Sequence, residues 1–128
     1  MKRWTKIGLF GILTWLVPFV TGFFFYTPEG GLLIGEIFFK TIMILVGSVV
    51  GAVLIVIIFK EIESEYLKNG ITIGIAWLLI NWILDFVILL PMAEMNISTY
   101  FMEIGLRYLT IPVTSTAIGY LLEKKIES

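Results

Sequence analysis

Four apolar stretches, roughly residues 7–26, 32–59, 70–91 and 99–122, are each about as long as the ~20 helical residues that cross a hydrocarbon core, or longer. A water-soluble domain cannot bury four such stretches. The rest of the composition agrees, with 59% hydrophobic and 15% charged residues and a mean hydropathy of +1.00. The expected class is therefore all-α: an integral membrane four-helix bundle, one transmembrane domain over residues 1–128, multi-pass in the cell membrane with the lipid bilayer as its first partner.

The connections are short and leave no room for a second domain. The first is Thr27-Pro28-Glu29-Gly30-Gly31, a Pro/Gly turn; the second runs from Lys60 to Gly70 and is charged; the third spans 91–99. Basic residues set the orientation. Lys2, Arg3, Lys6, Lys60, Lys68, Lys124 and Lys125 all flank one side, while the first and third connections hold no Lys or Arg. Both termini and the middle connection are expected in the cytoplasm. The basic start followed by an apolar run resembles a signal peptide, but the run is long and Thr21-Gly22-Phe23-Phe24 offers no small-x-small cleavage site, so it is read as the first span. In this orientation Phe19, Phe23, Phe24, Phe25, Tyr26, Phe38, Phe39, Trp82, Phe86, Tyr100 and Phe101 form an outer aromatic belt, whose members are anchors at the lipid interface.

Two internal echoes favour a tandem of parallel helical hairpins. Glu36-Ile37-x-x-Lys40 opens the second span and Glu103-Ile104-x-x-Arg107 the fourth, and a shift of 62 aligns Gly8 with Gly70, Trp15 with Trp77 and Phe24 with Phe86. Small residues mark faces where helix backbones can approach: Gly47-x-x-x-Gly51 in the second span and Ser115-x-x-x-Gly119 in the fourth, each suited to an intrachain or a subunit contact. Pro18 and Pro112 fall within spans and are expected to free the carbonyls of Thr14 and Tyr108.

One carboxylate does not fit the apolar pattern. Asp85 lies in Asn81-Trp82-Ile83-Leu84-Asp85-Phe86, with Asn81 one helical turn before it on the same face. An isolated charge in hydrocarbon is costly, so this face must point into the bundle. Glu36 with Lys40 and Glu103 with Arg107 are favourable i,i+4 pairs at the outer ends of their helices, where a Glu also meets the positive end of the helix dipole. Asp85 has no such partner in its own helix. The candidate polar cluster is Asp85, Asn81, Glu36, Lys40, Glu103 and Arg107, with an interhelical Asp85–Arg107 bridge as the structural expectation and a proton or small cation at Asp85 as the functional one.

From Trp77 onward, Asn81-x-x-x-Asp85, Pro91-Met92, Tyr100, Glu103-Ile104-Gly105-Leu106, Tyr108-Leu109, Pro112 and Gly119-Tyr120 resemble a group of small uncharacterised four-span membrane proteins of bacteria and archaea. The resemblance covers the second half of the chain and implies the four-span fold without an activity. Small multidrug-resistance exporters are similar in size, but the membrane glutamate they carry in span one has no counterpart between Lys6 and Glu29. The small four-span fluoride channels are similar too, but their Gly-rich and Arg-Tyr signature in span two is missing. Both families insert with weak charge bias, unlike this chain, whose subunits are expected to be parallel.

Cysteine and histidine are absent, which removes thiol chemistry, the usual general base and the usual metal ligands. No enzyme, cofactor or metal site is expected, and a net charge of −1 without a basic stripe argues against nucleic acid. Two functions remain. One is a small oligomeric channel or carrier, built of parallel copies, in which the polar cluster forms an outward-facing vestibule for protons or small cations. The other is a non-transporting scaffold or accessory subunit, docked on itself or on a partner membrane protein, whose buried charges are structural.

Overall fold

The computed structural model describes residues 3–27, 31–93 and 96–127. Lys2 and residues 28–30 and 94–95, which belong to the expected cytoplasmic flank and to the two outer connections, lie outside the described residues. The architecture is helical: α1 (Arg3–Phe23), α2 (Glu36–Phe59), α3 (Tyr66–Leu84), α4 (Leu90–Ala93), α5 (Ile97–Glu103) and α6 (Thr110–Glu127), with an isolated β-bridge between Tyr26 and Leu32 at the α1–α2 turn. A π-helical turn, Asp85–Leu89, joins α3 to α4, and a 3-10 turn, Gly105–Leu109, joins α5 to α6. Among the described residues three helical stretches, Arg3–Phe23, Glu36–Phe59 and Tyr66–Met92, are long and apolar enough to cross a membrane.

The fourth apolar stretch is not one helix. It breaks at Ile104, whose φ of −131° and ψ of −54° leave the helical region. Gly105 follows, packed so closely under two rings that a Cβ there would lie 2.7 Å from both Tyr100 and Phe101. Pro112 is consequently third in α6. There its missing N–H would have had no helical partner in any case, so it starts a helix where the sequence suggested a kink within one. Pro18, by contrast, sits inside an unbroken α1.

Side by side the long helices run α2, α1, α3, α6. Contacts between α1 and α3 rise together in number, Ile7 with Trp77, Thr14 with Asn81 and Trp15 with Asp85, so these two helices are parallel. Gly22 near Phe39 and Met43, with Lys6 bridged to Glu61, makes α2 antiparallel to α1. The densest seam is α3 against α6. Ser115 Oγ donates to the Gly70 carbonyl at 2.8 Å, and a Cβ at Gly70 would strike the Ser115 carbonyl oxygen. One at Gly74 would strike Pro112 Cα, and one at Gly119 the Tyr66 carbonyl. Ser115-x-x-x-Gly119 is thus an intrachain contact, and its partner is Gly70-x-x-x-Gly74. The second expected packing face differs: a Cβ at Gly47 or Gly51 would meet nothing within 4 Å. Glycine permits approach but does not cause it: no neighbouring helix closes on either α2 glycine, although Gly51 itself is buried.

Ile7, Leu54, Ile55, Ile58, Phe59, Ile62, Ile73 and Trp77 form the apolar core, which gathers at the end of the molecule that holds both termini. Trp77 is fully buried and spends its indole N–H on the Ile7 carbonyl at 2.9 Å. Gly11 leaves the space for its ring, since a Cβ there would lie 2.9 Å from Trp77 Cδ1. That fit sets the register between α1 and α3. Outward-facing Ile37, Val49, Val87, Val113 and Leu121 leave a broad apolar exterior.

Candidate functional site

Asp85 is the first residue of the π-helical turn. Its N–H reaches back to the carbonyls of Asn81 and Trp82, while its own carbonyl accepts from Leu90, five residues on. Such widened turns recur at functional positions. Here the helix that carries Asp85 is packed between α1 and the α5–α6 segment, and Asp85 and Asn81 are 1% and 0% exposed.

Both carboxyl oxygens are engaged. Trp15 Nε1 of α1 donates to Oδ1 at 2.6 Å, and the Tyr100 hydroxyl of α5 donates to Oδ2 at 2.5 Å. The expected partner does something else: Arg107 Nη2 donates to the Glu103 carbonyl at 2.6 Å. Among the described residues no ion pair joins Asp85 to Arg107, which acts on the carboxyl only through space, whereas the Tyr108 hydroxyl lies within reach of it as a further donor. The physical reason is register. Trp15 and Tyr100 bring N–H and O–H donors straight to the carboxyl, and the 3-10 turn after Gly105 carries Arg107 back towards α5.

One turn below, Asn81 Nδ2 donates to Thr14 Oγ1 at 2.9 Å and to the Trp77 carbonyl at 2.8 Å, and Thr14 Oγ1 donates to the Gly11 carbonyl at 2.5 Å. Asn81 Oδ1 is buried without a hydrogen-bond partner among the described residues. The polar strip therefore runs along the α1–α3 seam and stops at Trp77 and the apolar core.

The remaining charges form a separate clamp. Lys40 of α2 pairs with Glu36 at 3.3 Å, as its i,i+4 spacing suggested, and also with Glu103 of α5, which the sequence had assigned to Arg107. This joins α2 to the segment that covers Asp85. Rings close the space above the carboxyl: Phe86 lies 5.5 Å from Tyr100 and 5.8 Å from Phe101, and Trp82 lies 5.4 Å from Phe101 while its indole N–H donates to the Gly105 carbonyl at 3.0 Å. Tyr100, assigned to the lipid-facing belt, is fully buried.

Of the six polar candidates, the fold thus brings Asp85 and Asn81 together inside and places Glu36, Lys40 and Glu103 in the clamp, with Arg107 between the two groups. Trp15, Thr14 and Tyr100 belong to the site and were missed as its members. The available signal was the demand of a buried Trp or Tyr for an acceptor, combined with Asp85 as the acid that had none of its own. No group of three carboxylates among the described residues is placed to hold a metal ion. No family model, curated protein or solved structure matches the chain.

Proposed function

We propose that the chain is a four-span protein of the cell membrane that works by association, as a scaffold or accessory subunit, with Asp85 as a structural clasp. The observation that carries this reading is that Asp85 is closed to solvent with both oxygens bonded to neutral donors on other helices. A vestibule would need that carboxyl open to water. The clasp draws α1, α3 and α5 together, and the Lys40 clamp adds α2.

The fourth passage is then made in pieces, α5 followed by the 3-10 turn and α6. Both termini and the α2–α3 connection face the cytoplasm, in keeping with the basic residues. The order α2, α1, α3, α6, with parallel α1 and α3 at its centre, suits two parallel hairpins arranged about an axis along the membrane normal. It does not extend to residue-level equivalence, because a Cβ at Gly8 would meet nothing within 4 Å while its counterpart Gly70 is tightly packed.

The proposal is tested by ion flux in proteoliposomes. No proton or monovalent-cation flux above protein-free vesicles is expected, and flux that disappears in Asp85→Asn while the fold survives would reinstate the carrier. We infer association through α2 around Gly47, because Ser115 and Gly119 are already used against α3 whereas Gly47 is only half-buried and a Cβ there would meet nothing within 4 Å. Replacing Gly47 by leucine is expected to leave unfolding of the monomer unchanged and to shift cross-linked species in the membrane towards monomer. Unchanged cross-linking would assign that face to lipid.

A further inference from the structure

At the end of the molecule that holds both termini, α1 and the C-terminal end of α2 with the following turn flank a half-open cavity of about 210 Å³ lined by Arg3, Lys6, Ile58 and Glu61. The cluster around Asp85 does not touch it. Lys6 is bridged to Glu61, so those two charges largely cancel. Arg3, exposed on the first turn of α1, makes no ion pair among the described residues. The cavity thus has a cationic rim, an apolar floor at Ile58, and one positive charge in excess.

We propose that this cavity binds the phosphate of an anionic phospholipid headgroup. Size limits the ligand, because sites for drug-sized molecules occupy about 300–1,000 Å³, and a nucleotide would not fit. The surroundings favour a lipid over free phosphate. Trp4 stands 72% exposed beside Arg3, as an amphipathic ring does at the headgroup level, and Ile57 and Val53 continue an exposed apolar surface along α2 from the cavity. Guanidinium is the side chain best shaped to take two phosphate oxygens together. Basic pockets between membrane helices recognise headgroups by this chemistry.

The site is independent of the scaffold reading and does not require a chosen leaflet. It is tested on the full chain in nanodiscs containing either phosphatidylcholine alone or a mixture with phosphatidylglycerol, by native mass spectrometry of the lipids retained after release. Phosphatidylglycerol is expected to be retained in preference to phosphatidylcholine. Arg3→Gln should weaken that retention about fivefold, the factor of one charge near the membrane surface. Glu61→Gln should strengthen it, by releasing Lys6 for the phosphate. These opposite signs separate a site from general loss of structure, and circular dichroism checks that both variants fold. Equal retention of the two lipids, an Arg3→Gln variant that retains as much as the parent, or weaker retention by Glu61→Gln would overturn the proposal. So would displacement of the lipid by millimolar inorganic phosphate, which would make the site one for the free anion.

Discussion

Gly70→Ala and Gly119→Ala should each destabilise the protein by about 3 kcal/mol or more, the upper range for overpacking a tight core. A single methyl is enough because the atoms it meets are backbone: the Ser115 carbonyl oxygen opposite Gly70, and the Tyr66 carbonyl oxygen opposite Gly119. A side chain can turn away to another rotamer, but a carbonyl held in a helix cannot. Relief requires α3 and α6 to separate, which stretches the Ser115–Gly70 hydrogen bond and loosens the densest contact in the fold. Gly47→Ala and Gly51→Ala serve as the contrast. Nothing lies within 4 Å of the added methyl, so they should be neutral or stabilise α2 by up to about 1 kcal/mol through helix propensity. Detergent unfolding followed by circular dichroism measures all four. Equal losses for the two pairs would refute the assignment of α3–α6 as the close-packed seam.

The other large effect is expected at the clasp. Tyr100→Phe keeps the ring packing and removes the hydroxyl donor to Asp85, a bond to a buried carboxyl worth about 1.5–3 kcal/mol. Asp85→Asn removes the charge and leaves a single acceptor oxygen where Trp15 and Tyr100 each had one, so it should cost a similar amount. The two changes share one interaction. The double variant should therefore lose less than the sum, with a coupling of about 1–3 kcal/mol in a double-mutant cycle. Trp15→Phe should couple to Asp85→Asn in the same way, with a further loss from the smaller ring. Arg107→Leu should couple more weakly, because the guanidinium is bonded to the Glu103 carbonyl and acts on Asp85 only through space. A cycle in which Arg107 carries the coupling and Tyr100 carries none would restore the ion bridge and remove the clasp.

Much of this protein was legible in the residue order alone, wherever the information is local. Helix length and apolarity identified α1, α2 and the stretch through α3, because a helix satisfies its own backbone and needs no partner to be recognised. The i,i+4 spacing placed Asn81 and Asp85 on one buried face and paired Glu36 with Lys40. Tertiary structure decided the rest. Periodicity states which face of a helix turns inward, but not which residue of another helix it will meet. Asp85 meets Trp15 and Tyr100 because Trp77 seated against Gly11 sets how far α1 is displaced along α3. Both small-residue motifs permit close approach, yet only Ser115-x-x-x-Gly119 faces glycines on a neighbour. The fourth stretch breaks at Ile104, where Gly105 fits under the rings of Tyr100 and Phe101 while the Tyr100 hydroxyl reaches Asp85 on another helix.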